Sequence, residues 1–327
     1  MRLCRFILTP ISPWASRLRS DTLNGLVLWH LAQREGDAAC EAMIEAFEAG
    51  EPPFALSSPM RLDHLPMPAL PPVPREKFIS LASGLFPGEE DQELALFKAL
   101  RKFKSFRKKP WLPLEEWKKH RLALSAEALF KDECEKQDEK EKGEEDKFSK
   151  TAYIPHVSID RQSGAARDGQ LFFNRANFHG TESRYHLYAR AKDPDWLLEL
   201  LAAIGAQGFG KDTSLGMGQF EVKLDEAFNP AELEDEDGKE HFLLLSLCAS
   251  PHMEPLAGHY KLEEKRGKVG PGTSNPFKRP FLAVSEGALL REPPAPPYVL
   301  RDLNANKKIV QILEPMLLPC RLAASEA

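Results

Sequence analysis

Residues 205–222, GAQGFGKDTSLGMGQFEV, constrain this chain more than any other stretch. Five glycines (Gly205, Gly208, Gly210, Gly216 and Gly218) fall within fourteen residues, with Lys211, Thr213 and Ser214 among them. The apolar run WLLELLAAI before them has helical character, and GQFEVKL after them alternates as a strand does. Glycine enters φ > 0 at no steric cost, and clustered backbone N–H groups then form an anion-binding concavity. The segment therefore reads either as a phosphate-contacting loop or, more plainly, as a glycine-rich turn that closes a helix. It is not a nucleotide P-loop. Gly205 to Lys211 fits G-x-x-x-x-G-K, but Asp212 stands where a magnesium-ligating Ser or Thr belongs. The helix also precedes the strand, the reverse of the P-loop order.

The remainder of the chain sets the class. Its 327 residues suffice for two domains, and 42% hydrophobic with 28% charged residues is a globular composition. No apolar run approaches a membrane span. MRLCRFILTPISPW alternates and breaks at Pro10, so it reads as a first strand and not a signal peptide. Cys4, Cys40, Cys134, Cys248 and Cys320 are scattered without CxxC or Cys/His spacing. Reduced thiols, a cytoplasmic location and the absence of metal and cofactor are the expectation. The net charge of −5 is uneven: residues 131–147 hold nine acids against five lysines, and 231–240 hold six acids against Lys239. The rest of the chain is mildly basic, so the acidic total does not itself exclude a local contact with a polyanion.

Periodicity places a strand at 2–8 and a helix from Ser20 or Asp21, with Leu23, Leu26, Val27 and Leu31 on one face and Gly36 as its stop. A second helix covers 38–49. Eight prolines from Pro52 to Pro74 forbid regular helix there. Residues 76–130 read as a separate helical insertion, and 131–147, poor in apolar residues, as a frayed or disordered tip. AYIPHVSID, QLFFNRANF and SRYHLYARA read as strands, then the helix near 194–204, the glycine loop and the strand GQFEVKL. HFLLLSLCAS, GHYKLEEKRG, FLAVSEGALL and KKIVQILEPMLLPCRL resume the β-rich pattern. The expected fold is α+β: two ferredoxin-like (RRM-like) units, residues 1–225 with an insertion at about 76–150, and a degenerate second unit at 240–327.

Helix, glycine loop of the form G-x-G-K-x-x-S-x-G-x-G-x-F, then strand resembles the glycine-rich loop of the RAMP superfamily of CRISPR RNA proteins. RLRSDTLNGLVLWHLA, FALSSPMRLDHLPMPALPPVP, YIPHVSIDRQSGAARDGQLFFNRANF and NPFKRPFLAVSEGALL, the last read as a hairpin, are similar to segments of one branch in the same order. That branch is the Cas5-like fourth subunit of type III-A (Csm) effector complexes. The resemblance implies a non-catalytic RNA-binding subunit that caps the crRNA 5′ handle. It implies as partners the large polymerase-cyclase-like CRISPR subunit and the backbone RAMP subunit of the same complex. A standalone RAMP endoribonuclease acting on repeat RNA, or a Cas5-like subunit of another subtype, are the alternatives. The stretch 76–150 has no counterpart in the resemblance.

The candidate RNA-binding residues are Gly208, Gly210, Lys211, Ser214, Gly216 and Gly218 of the loop, Arg161 and Arg167 of a second glycine-bearing turn, and Arg17 and Arg19 before the first helix. Arginine forks a phosphate and stacks on bases, and Phe172, Phe173 and Phe178 accompany the second turn. A surface hairpin with its apolar residues turned to a core accounts for that turn equally well. RKFKSFRKKPW (101–111) is either a basic nucleic-acid contact or an amphipathic helix with Phe103 and Phe106 inward. His30, the candidate base of the nuclease alternative, fits a packed helix histidine better. Asp21 is expected to cap its helix. No residue set reads as an active site.

Overall fold

A computed structural model describes residues 1–86, 91–139, 148–234, 239–251, 256–269 and 275–324. The chain opens with β1 (Arg2–Pro10), α1 (Ser20–Glu35), α2 (Asp37–Glu48) and β2 (Phe54–Leu56). The proline-rich stretch holds only the short strands β3 (Met60–Arg61) and β4 (His64–Pro66). Next come α3 (Arg75–Leu85), α4 (Gln92–Phe106), β5 (Trp111–Pro113), α5 (Leu114–His120) and α6 (Ala126–Glu139). They are followed by β6 (Ser149–Ile159), β7 (Ala166–His179), β8 (Tyr185–Ala191), α7 (Pro194–Gln207) and β9 (Phe220–Leu224). The last part is all strand: β10 (His241–Leu244), β11 (Gly258–His259), β12 (Leu262–Lys265), β13 (Phe281–Val284), β14 (Leu289–Leu290), β15 (Val299–Leu300), β16 (Gln311–Ile312) and β17 (Leu317–Cys320).

The first sheet runs β2-β8-β1-β9, every pair antiparallel, with β3 also on β8. Alternation along β1 decides what each face meets. Cys4, Phe6 and Leu8 point to a core with Leu23 and Val27 of α1, Phe47 of α2, and Leu197, Leu201 and Ile204 of α7. Leu3 points the other way, into a second core. That core also takes Leu243, Leu289 and Leu318 of the second sheet, and Phe103, Trp117 and Phe130 of the helices after the proline-rich stretch. The second sheet runs β11-β14-β10-β17. Numbered within each sheet, both have the same order, second-third-first-fourth, but in the second sheet the crossovers hold no helix among the described residues.

Residues 76–130, expected as a separate helical insertion, pack on the rest of the chain: Trp117 is fully buried and its indole N–H donates to the Leu233 carbonyl (3.0 Å), while Leu124 bridges to Leu322. Three expectations change. The tract 131–147 is not wholly frayed. Residues up to Glu139 continue α6, with Asp132 and Cys134 buried; 140–147 lie outside the described residues. FLAVSEGALL is not a hairpin, since β13 pairs with β12 and β14 with β10 and β11. Nor does Asp21 cap α1. Its carboxylate meets Lys265 on β12 at 2.9 Å, and Ser20 Oγ accepts from the Leu247 N–H (2.9 Å), so both tie the helix start to the second half of the chain. Packing across the molecule has outcompeted the local cap.

Candidate nucleic-acid interface

The glycine loop folds back on itself. Asp193 opens α7 by accepting from the Trp196 N–H (3.0 Å), and Gly208 (φ +86°) closes it, its N–H on the Ile204 carbonyl (2.9 Å). The Phe209 N–H then bonds the Gly218 carbonyl (3.2 Å), so the two arms of the loop pair across its neck. Gly210, Gly216 and Gly218 all have φ between +78° and +81°. A Cβ at Gly208 would sit 2.5 Å from the Met217 carbonyl oxygen, and one at Gly210 2.7 Å from Ser16. At Gly205 it would overlap the Phe220 carbonyl oxygen, where α7 lies on β9. These glycines serve closure of the loop itself. Gly216 is different: it is exposed, with open space where its side chain would be.

What the loop leaves outward is the candidate site. Lys211 and Ser214 are exposed. The N–H groups of Gly210, Asp212, Thr213 and Ser214 have no protein acceptor among the described residues. Asp212 takes the left-handed conformation (φ +63°), which turns the chain there. The Lys211 ammonium bonds Asn174 Oδ1, and Asn174 Nδ2 donates to Asp212 (3.0 Å), so the base of β7 holds the loop tip in place. Successive unsatisfied amides beside one ammonium make a nest suited to a phosphodiester.

The segment from Ile11 to Arg19 is the other wall. The Gly218 N–H donates to the Pro13 carbonyl (2.9 Å), the Lys211 N–H to Ser16 Oγ (3.2 Å), and Trp14 pairs with Asn177 of β7 in both directions (2.9 and 3.0 Å). Arg17 in the same segment is exposed and lines a cleft of about 960 Å³. Arg107, Lys108 and Lys109 from the end of α4 and His259 and Lys261 from the second half line it as well. The basic run 101–111 thus has both properties weighed for it: Phe103 and Phe106 are buried, and its C-terminal cations face the cleft. His259 and Lys261 carry no local signal that sequence reading could use.

Arg19 does not belong to the site as expected. It is buried, and its guanidinium is held by Glu263 and by both oxygens of Glu286, with Nε to Glu286 at 2.9 Å. Arg19 offsets one of the two acids that line the cleft, and with Arg17, Arg107, Lys108, Lys109 and Lys261 also on its lining, cations outnumber Glu263 and Glu286 and the cleft stays basic. Arg161 and Arg167 are elsewhere too. Among the described strands β6 and β7 pair with each other and form a ribbon, which Trp14 bridges at Asn177. From Asn174 to its far end is eight residues, roughly 26 Å at about 3.3 Å each. At that end Asp160 accepts from the Gln162 and Ser163 N–H groups (2.9 and 3.0 Å) and from Arg167 (3.2 Å), while Arg161 is exposed. The reading that its apolar residues face a core fails: Tyr153, Leu171, Phe172 and Phe173 are 48–67% exposed. His30 is half-buried, its Nε2 has no hydrogen-bond partner, and burial holds its pKa below the ordinary value.

The glycine loop from Gly205 to Gly218 and all of α1 fall within residues 17–221, the span matched by the family model described as the RAMP superfamily, which begins at Arg17 of the wall. The chain belongs to that superfamily. The same fold occurs in the crystal structure of a Csm1-Csm4 cassette in complex with cA4, at TM-score 0.55 and 16% identity over 99% of this chain and 100% of that one. It occurs also in a Csm3-Csm4 subcomplex of the type III-A CRISPR-Cas interference complex, at TM-score 0.54 and 17% identity over 96% and 99% of the two chains. No curated protein matches the sequence. Among the described residues no helix is long and apolar enough to cross a membrane.

Proposed function

We propose that this protein is a non-catalytic RNA-binding subunit of a type III-A CRISPR effector complex, one that caps the crRNA 5′ handle. It docks the large polymerase-cyclase-like subunit and neighbours the backbone RAMP subunit. The observation that carries the reading is the glycine-loop nest, with its outward amides and Lys211, on a wall shared with a basic cleft. A phosphate run crossing from the nest past Arg17 into the cleft meets cations throughout, which suits a short single-stranded segment. The assemblies in which the fold recurs support the two protein partners. The exposed aromatic ribbon supplies a surface for a partner or for splayed bases. Each sheet, by its strand order, is read as a ferredoxin-like unit, at 1–225 and 240–327, with the first interrupted between its second and third strands.

The test is equilibrium binding of a single-stranded handle RNA to the purified chain across a salt series. Lys211→Ala and Arg17→Ala should each flatten the log–log salt slope by about 0.7, the value for one single-strand phosphate contact. Gel analysis of the same mixtures should show intact RNA with and without divalent ions. Slopes unchanged in both variants would remove the nest and its wall from the RNA path. Metal-independent cleavage of repeat RNA that His30→Ala abolishes would replace this reading with the nuclease.

A further inference from the structure

Away from the glycine loop and the cleft, the helices of the insertion bring together three groups that sequence spacing keeps apart. Glu116 and His120 lie one turn apart on α5, and Asp132 projects from α6. Their nearest donor atoms all lie within 4.8 Å of one another. His120 Nε2 is 2.7 Å from Asp132 Oδ2 and 3.7 Å from Glu116 Oε2. Glu116 is only 7% exposed, and its Oε2 is buried without any hydrogen-bond partner. A carboxyl oxygen left without a hydrogen bond at that depth is costly, and a ligand for it is the simplest remedy.

We propose that Glu116, His120 and Asp132 bind a divalent transition metal of the zinc class. A tetrahedral ion about 2.1 Å from each donor needs donors roughly 3.4 Å apart, and the His120–Asp132 and His120–Glu116 separations of 2.7 and 3.7 Å lie on either side of that value. One imidazole with two carboxylates suits zinc, cobalt or nickel and disfavours magnesium and calcium, which take oxygen ligands. Three protein ligands leave one position for water.

Lys119 and Lys136 are the competitors. Lys119 meets Asp132 at 2.6 Å, and Lys136 bonds Glu116 Oε1. Both ammonium groups sit on stems that are at least half exposed, so each can swing to solvent when a doubly charged ion enters. Neither reaches Glu116 Oε2. The ion would pin α5 to α6, and Ala126 at the start of α6 lines the basic cleft.

The experiment is titration of the purified, chelator-treated full chain with cobalt(II), followed by its visible absorption, and with zinc, followed by calorimetry and thermal unfolding. One equivalent should bind, zinc should displace cobalt and raise the melting temperature, and magnesium at the same concentration should do neither. His120→Gln and the isosteric Asp132→Asn should each weaken binding by more than about 100-fold, the upper end for losing a group that only supports a ligand. Lys136→Ala should tighten binding several-fold by removing the competing charge. Absence of a cobalt spectrum, or binding that survives both ligand variants, overturns the site. So does a Lys136→Ala variant that loses stability equally with and without zinc, which would mark the cluster as an ion-pair network alone.

Discussion

Gly218→Ala should cost the protein roughly 3–5 kcal/mol, combining a left-handed conformation unsuited to alanine with an overpacked backbone contact. The added methyl would stand 2.7 Å from the Phe209 nitrogen and nearer still to its carbonyl oxygen. Both are main-chain atoms of the opposite loop arm, so no side chain can yield. Gly216→Ala is the control. It has a similar φ, +81° against +80°, and nothing within 4 Å of the new methyl. It should cost about 1 kcal/mol, the conformational part alone. Urea midpoints of the two variants check this. Equal losses would mean that the loop neck is not closed as described. At Gly208, as at Gly218, an added Cβ would meet main-chain atoms of the opposite arm, so a side chain there should harm the fold before it meets any ligand.

Arg19→Ala should be comparably damaging at neutral pH, about 3–5 kcal/mol, because it strands a buried carboxylate. Glu286 has an 8% exposed side chain and accepts from Arg19 and from Ser58 Oγ. Burial alone would raise its pKa; the bonds to Arg19 and the arginine charge outweigh that and leave it below the usual carboxylate range. A carboxyl whose folded pKa is depressed stabilises above its unfolded value of about 4.3, and that contribution is lost as pH falls through the folded pKa. In the variant the sign reverses, since desolvation remains without its counter-ion. The cost of Arg19→Ala should therefore shrink steadily as pH is lowered from 7 towards 4. Denaturation curves at several pH values measure it. A cost independent of pH would show that Glu286 does not depend on Arg19.

The parts legible in the sequence were those with strong local period. Leu23, Val27 and Leu31 fix the inner face of α1, and the run before Gly205 fixes α7. The loop was legible because closely spaced glycines mark backbone that must take φ > 0 or pass close to another chain segment. The ribbon was not. Phe172 and Phe173 point to opposite faces, so alternation could not tell that no layer covers either one. Arg19 was misread because the acids that hold it lie at 263 and 286, far outside any local window. The cleft gathers cations from three distant segments for the same reason. Glu116, His120 and Asp132 likewise become neighbours only once α5 packs beside α6.

The proposed role is tested most directly by reconstituting the effector complex with and without this subunit and measuring the stoichiometry of the large subunit and the protection of the crRNA 5′ end. The account predicts that omission releases the large subunit and leaves the handle open to nuclease. It predicts that adding back the wild-type chain restores both, while a Lys211→Ala, Arg17→Ala double variant restores the large subunit but protects the handle poorly. A particle that lacks this chain yet keeps the large subunit at normal stoichiometry, with its crRNA 5′ end fully protected, would contradict it.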